Sequence, residues 1–144
     1  MKKFLVLYTS LCALFVSACA SIPNTSSSTV KYLQFRHPVN DVVYMQIILP
    51  NEKACQNTKG TMVFGIGNKY GEESIKSFLN NSSCSDAATS QSLPYQATLR
   101  DKVFDYLLDI EFSGPRVCTQ ILDEMKQQDG SKESFEILSS CAKK

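Results

Sequence analysis

From Phe104 to Phe112 the chain alternates strictly in one register. Phe104, Tyr106, Leu108, Ile110 and Phe112 are apolar, and between them stand Asp105, Leu107, Asp109 and Glu111. A period of two places the two sets on opposite faces of a strand, whereas a helix would scatter the acids around its axis. Such a segment demands a sheet with one buried face. Tyr95, Ala97 and Leu99 alternate in the same way, so the two runs are expected to form a hairpin turning at Arg100-Asp101-Lys102. On the outer face Asp105, Asp109 and Glu111 would stand about 6.8 Å apart for every two residues. A solvated surface is the plain expectation for them. Together with Leu107 they are also a candidate binding face for a basic partner, if Leu107 belongs to an exposed apolar patch.

Two more strands are expected at Val30 to Arg36 and Val42 to Leu49, rich in β-branched and aromatic residues and bounded by His37-Pro38 and Pro50-Asn51. Asn51 to Gly60 reads as a polar loop, and Thr61 to Ile66 as a third strand before a glycine-marked bend. Glu72 to Leu79 places Ile75, Phe78 and Leu79 at helical spacing, with two acids in the first turn. Asn80 to Ser92 reads as loop. Ser113-Gly114-Pro115 opens a helix with the stripe Val117, Cys118, Ile121, Leu122 and Met125, ending at Asp129-Gly130. Ser131 is expected to cap a last helix to about Cys141, although Ser134 to Leu138 also fits a strand. The sum is an α+β domain over residues 30–144: an antiparallel sheet of about five strands with helices on one face, in the order βββαββαα.

The N-terminus carries an address. Lys2 and Lys3 precede an uncharged run from Phe4 to Val16, which as a helix would span about 20 Å of a roughly 30 Å hydrocarbon core. That is the length of a signal peptide. Val16-Ser17-Ala18-Cys19 resembles the lipobox of bacterial lipoproteins: an aliphatic residue, two small residues and the lipidated cysteine. The resemblance covers residues 1–19 only. It implies a signal peptide over residues 1–18, cleavage before Cys19, diacylglyceryl attachment to its thiol and acylation, such as palmitate, on the new amino group. Two or three acyl chains anchor a domain stably. Ala20 is not the aspartate that retains such proteins in the inner membrane, so the outer membrane is the implied location. Ala18-Cys19-Ala20 also fits an ordinary cleavage site releasing a soluble chain. Residues 19–29 are then the lipidated cysteine and a serine-rich tether, whose nine residues from Ser21 would span about 15 to 18 Å.

Of six cysteines, Cys12 leaves with the signal and Cys19 takes the lipid. Cys55, Cys84, Cys118 and Cys141 remain, an even set that in an oxidising compartment argues for two disulfides. Zinc is the competing use, but there is no CxxC spacing and His37 is the one histidine, so no metal is expected. Two antiparallel helices turning near Asp129-Gly130 would bring Cys118 level with Cys141. A strand out and a helix back would return Cys84 towards Cys55. The expected pairs are Cys55–Cys84 and Cys118–Cys141.

The remaining chemistry is thin. Loss of Lys2 and Lys3 takes the formal charge from +1 to −1, with no block of like charges, so nucleic acid has no electrostatic support as a partner. Gly65-Ile66-Gly67-Asn68-Lys69-Tyr70-Gly71 sits where a phosphate loop would, but Tyr70 displaces the third glycine of G-x-G-x-x-G, and no cofactor is expected. His37 and Asp41 lie close in sequence, yet no nucleophile accompanies them. The expectation is a non-enzymatic envelope lipoprotein, held to the membrane through Cys19, that presents a small disulfide-bonded domain to a protein or other envelope partner. An inhibitor or immunity protein against a periplasmic hydrolase is the alternative, and a small hydrolase using His37 stands behind both.

Overall fold

The structure, a computed structural model, describes residues 29–127 and 134–144. The signal peptide, Cys19, the tether up to residue 28 and the Ser131 cap lie outside the described residues. The strands are β1 (Lys31–Arg36), β2 (Val43–Leu49), β3 (Ser82–Ser85), β4 (Tyr95–Asp101), β5 (Tyr106–Phe112), β6 (Phe135–Ile137) and β7 (Ala142–Lys143). The helices are α1 (Glu52–Tyr70), α2 (Glu72–Asn80) and α3 (Pro115–Gln127). Among the described residues these strands form one antiparallel sheet in the order β3-β1-β2-β5-β4-β6, with β7 also on β4.

The alternation read from the sequence builds the core. Phe35 pairs with Met45, Met45 with Phe112, Ile47 with Ile110, and Ile110 with Ala97, so one sheet face carries a continuous apolar layer. Ala54 and Cys55 from α1, and Cys118 and Leu122 from α3, pack against that same face. The fold is therefore α+β, with an antiparallel sheet, helices on one side and two disulfides. Cys55–Cys84 and Cys118–Cys141 form as expected, with Cα–Cα distances of 6.2 and 6.0 Å.

The element order differs from the expectation in three places. Asn51 to Ile66, read as loop and strand, is the first part of a helix. The Asn51 side chain accepts from Ala54 N at 2.9 Å and caps the start, and Cys55, Ala54 and Thr58 bury one side of the first two turns. Met62, Val63, Phe64 and Ile66 look like a strand because three glycines and clustered apolar residues hide any helical period. Inside the expected loop, Ser82–Ser85 forms edge strand β3, held by β1 and by the Cys84 bridge. The expected last helix is two short strands, since Phe135–Ile137 and Ala142–Lys143 both complete the free edge of β4. Cys141, just before β7, still meets Cys118 of α3.

The hairpin also turns later than expected. β4 runs through Asp101, which pairs with Tyr106, and Asp101 Oδ1 accepts from Val103 N and Phe104 N at 2.9 and 3.0 Å. Phe104 and Asp105 thus belong to the turn, where Asp105 has φ 56°.

Candidate functional site

Between α1 and α3, above the sheet, lies a cleft with a cavity of about 190 Å³. Its floor is Phe35, Tyr44 and Met45, and its walls include Met62 and Ile66 of α1, Ile121, Glu124 and Met125 of α3, Phe78 of α2 and Phe135. Met45, Met62 and Met125 are every methionine of the chain except Met1, and all three line this one space. Methionine is unbranched and polarizable, suited to surfaces that adapt to an apolar occupant. A dry engineered cavity of about 150 Å³ in another protein suffices for benzene.

The cleft exists because α1 is anchored at one end only. Its buried residues are Ala54, Cys55 and Thr58, and beyond them neither the rest of α1 nor any of α2 is buried. Cys55–Cys84 pins the anchored end. Gly60 follows the last buried residue with open space around it. Farther along, α1 turns into α2 at Gly71, whose φ of 82° suits glycine, and Gly67 packs against Ile75 so tightly that the two helices form one corner. This corner meets the sheet through half-buried Met62 and Phe78, with the Phe78 ring 5.6 Å from that of Phe35.

A bulge aims the one phenol. The register of β1 against β2 shifts between Phe35 and Arg36, which face Met45 and Val43, so Tyr44 is the extra residue. Bulges re-aim side chains in this way, and Tyr44 turns to the helix side instead of the outer face that alternation would give it. Burial, and secondarily the Glu124 carboxylate, hold its phenol above the usual pKa of 10.0, so it stays a hydrogen-bond donor near neutrality. Among the described residues its hydroxyl has no hydrogen-bond partner. Glu124 is half-buried and receives Gln120 Nε2 on Oε1 at 3.2 Å. A second cavity of about 250 Å³ shares Phe35, Tyr44 and Phe78 and adds the polar side chains of Ser74, Ser77 and Asn81. The site thus offers a largely apolar chamber with the polar side chains of Tyr44, Thr61 and Glu124 among its lining residues.

The residues singled out from the sequence are placed otherwise. Leu107, Asp109 and Glu111 do share the outer sheet face, and Leu107 is 62% exposed. Asp105 sits in the turn, bound by Arg100 Nε and NH2 at 3.0 and 2.7 Å. Asp109 accepts from Thr98 Oγ1 at 2.9 Å, and Glu111 takes Gln46 Nε2 and Lys144 Nζ, each at 2.6 Å. Local partners therefore answer much of the acidic strip. His37 lies in the turn after β1, where its Nδ1 accepts from Val39 N at 3.4 Å, while Asp41 pairs with Arg36. The glycines at 65 and 67 lie within α1, and their backbone is helical rather than a phosphate cradle.

Tyr44, Glu124 and the three methionines were not legible as a site. The methionines share no spacing, and nothing in Val42 to Leu49 announces the bulge. Among the described residues, no helix is long and apolar enough to cross a membrane, and no group of three or more His, Cys, Asp or Glu could hold a metal ion. Comparison with protein-family models, with curated proteins and with solved structures finds no match for this chain.

Proposed function

We propose that the chain is a lipid-anchored protein of the bacterial envelope, fixed to the outer membrane through Cys19, whose stapled domain binds a protein partner non-enzymatically through the cleft between α1 and α3. The observation that carries the reading is the convergence of Met45, Met62 and Met125 on one cavity beneath a helix corner that buries nothing fully. Pre-formed apolar chambers with a few placed polar groups are the common form of binding sites. The two disulfides support it by fixing the frame around a loosely packed wall.

The test is photo-crosslinking in living cells with the full lipidated chain, placing the reactive residue at Ile121 in the cleft or at Leu107 on the outer sheet face. A discrete adduct from Ile121 that is absent from Leu107 is the expected result. An adduct from Leu107 alone would transfer the function to the acidic face. Cys19→Ala should move the protein from the membrane fraction to the soluble one, and its retention in the membrane would refute the anchor.

A further inference from the structure

An acyl anchor on Cys19, the part of the proposed function on which this inference rests, holds the domain near a bilayer but through a flexible tether sets no orientation. The strand register shows which end of the sheet lies beside the tether. Tyr32 pairs with Ile48, Ile48 with Asp109 and Asp109 with Thr98, so Val30, where the chain enters β1, is level with Leu107 of β5. The last pair of the β4–β5 hairpin, Asp101 with Tyr106, lies one residue past that level, and the turn 102–105 projects beyond it. Across the sheet β1 stands two strands from β5 and three from β4, about 10 and 14 Å. Nine tether residues from Ser21 span about 15 to 18 Å, so acyl chains on Cys19 and this turn reach the same patch of membrane.

The turn is built to enter an apolar layer. Val103 is 60% exposed, and Phe104 beside it is exposed too, its ring 6.0 Å from that of Tyr106. Backbone N–H groups carried out of water without partners would offset what such side chains gain. Here they are already bonded. Lys102 N donates to Ser134 O at 2.8 Å, and Val103 N and Phe104 N both donate to the buried Asp101. The one acid of the turn, Asp105, is held by Arg100. A protein partner brings donors and acceptors of its own, whereas a turn satisfied from within fits a surface that offers none. We infer that the β4–β5 turn is a membrane-contact element: Val103 and Phe104 enter the headgroup–acyl boundary of the membrane that holds Cys19, and the domain stands with this end of its sheet on the lipid. Two side chains alone make a weak anchor, and they act as a second signal beside the acyl chains.

The chain has no tryptophan, so a single introduced one reports its own surroundings. Val103→Trp and Val39→Trp are each placed in the full lipidated chain, which is bound to vesicles of phosphatidylethanolamine and phosphatidylglycerol with brominated acyl chains. Val39, 85% exposed between β1 and β2, marks the opposite end of the sheet and controls for the affinity of any exposed indole for lipid. The emission of Val103→Trp should shift to the blue and be quenched by the bromines, while that of Val39→Trp stays at its value in water. Equal quenching of both overturns the orientation, and quenching of neither on a chain that floats with the vesicles overturns the contact while keeping the anchor. Shielding of Val103→Trp only after outer-membrane proteins are added gives the turn to a protein partner and overturns the lipid assignment. Flotation that Cys19→Ala leaves unchanged refutes the anchor itself, and with it the placement argued from the tether.

Discussion

Gly67 of α1 and Ile75 of α2 meet so closely that a Cβ added at Gly67 would stand 2.7 Å from Ile75 Cδ1. That contact locks the helix corner over the cleft. Gly60, seven residues earlier on the same helix, would place a Cβ in open space.

The two glycines should therefore answer differently to alanine. Gly60→Ala should stabilise the fold by about 0.8–1 kcal/mol through helix propensity alone. Gly67→Ala must displace Ile75 and should gain less, recovering the difference only when combined with Ile75→Ala. Urea unfolding of the four variants closes this cycle, and equal gains at both glycines would show that the corner is not tightly packed.

Removing either disulfide should cost stability of similar size, since the bridged residues lie 29 and 23 positions apart. Chain-entropy reasoning gives about 3 kcal/mol for each. The local effects should diverge. Cys55→Ala with Cys84→Ala should speed hydrogen exchange in α1, whereas Cys118→Ala with Cys141→Ala should speed it in β7 and α3.

Tyr44 should be among the last tyrosines to ionise when absorbance at 295 nm is followed upward through pH 10. Burial is the larger cause of its raised value, so Glu124→Gln should lower the midpoint yet leave it above 10.0. A pKa raised by folding means the folded state holds its proton more tightly. The associated stability is complete below about pH 10 and declines as pH rises through the folded value. A midpoint at or below 10 would place the phenol in water.

On the outer face, Gln46 is 3% exposed, gives Nε2 to Glu111 and takes Thr89 N on Oε1 at 3.1 Å. Gln46→Ala should cost about 1.5–3 kcal/mol, the usual range for a hydrogen bond to a charged group. It should also release the segment around Thr89, read as faster proteolysis there.

Strands with one buried face announced themselves: alternation alone pairs Tyr95, Ala97 and Leu99 with the run ending at Phe112, though not the continuation of β4 through Asp101. Both cysteine pairs form as expected, but between other elements than the expected ones, since α1 replaces the strand before α2 and β6 and β7 replace the last helix. What stayed hidden depends on tertiary contacts. α1 forms despite Gly60, Gly65 and Gly67 because Asn51 caps it and Cys55 ties its base, neither of which leaves a helical period. Phe135–Ile137 is a strand because β4 has an open edge there. The cleft was hidden for the same reason: Met45, Met62 and Met125 come from three elements, and the Tyr44 bulge exists only in the register of β1 against β2.

The most direct measurement is methionine-methyl NMR of the oxidised domain titrated with toluene. If the cleft receives an apolar group, the Met45, Met62 and Met125 signals move together along one saturation curve, and Met125→Trp, which fills the space, abolishes the response of the other two. Signals that stay still, or that drift separately without saturating, would contradict the account.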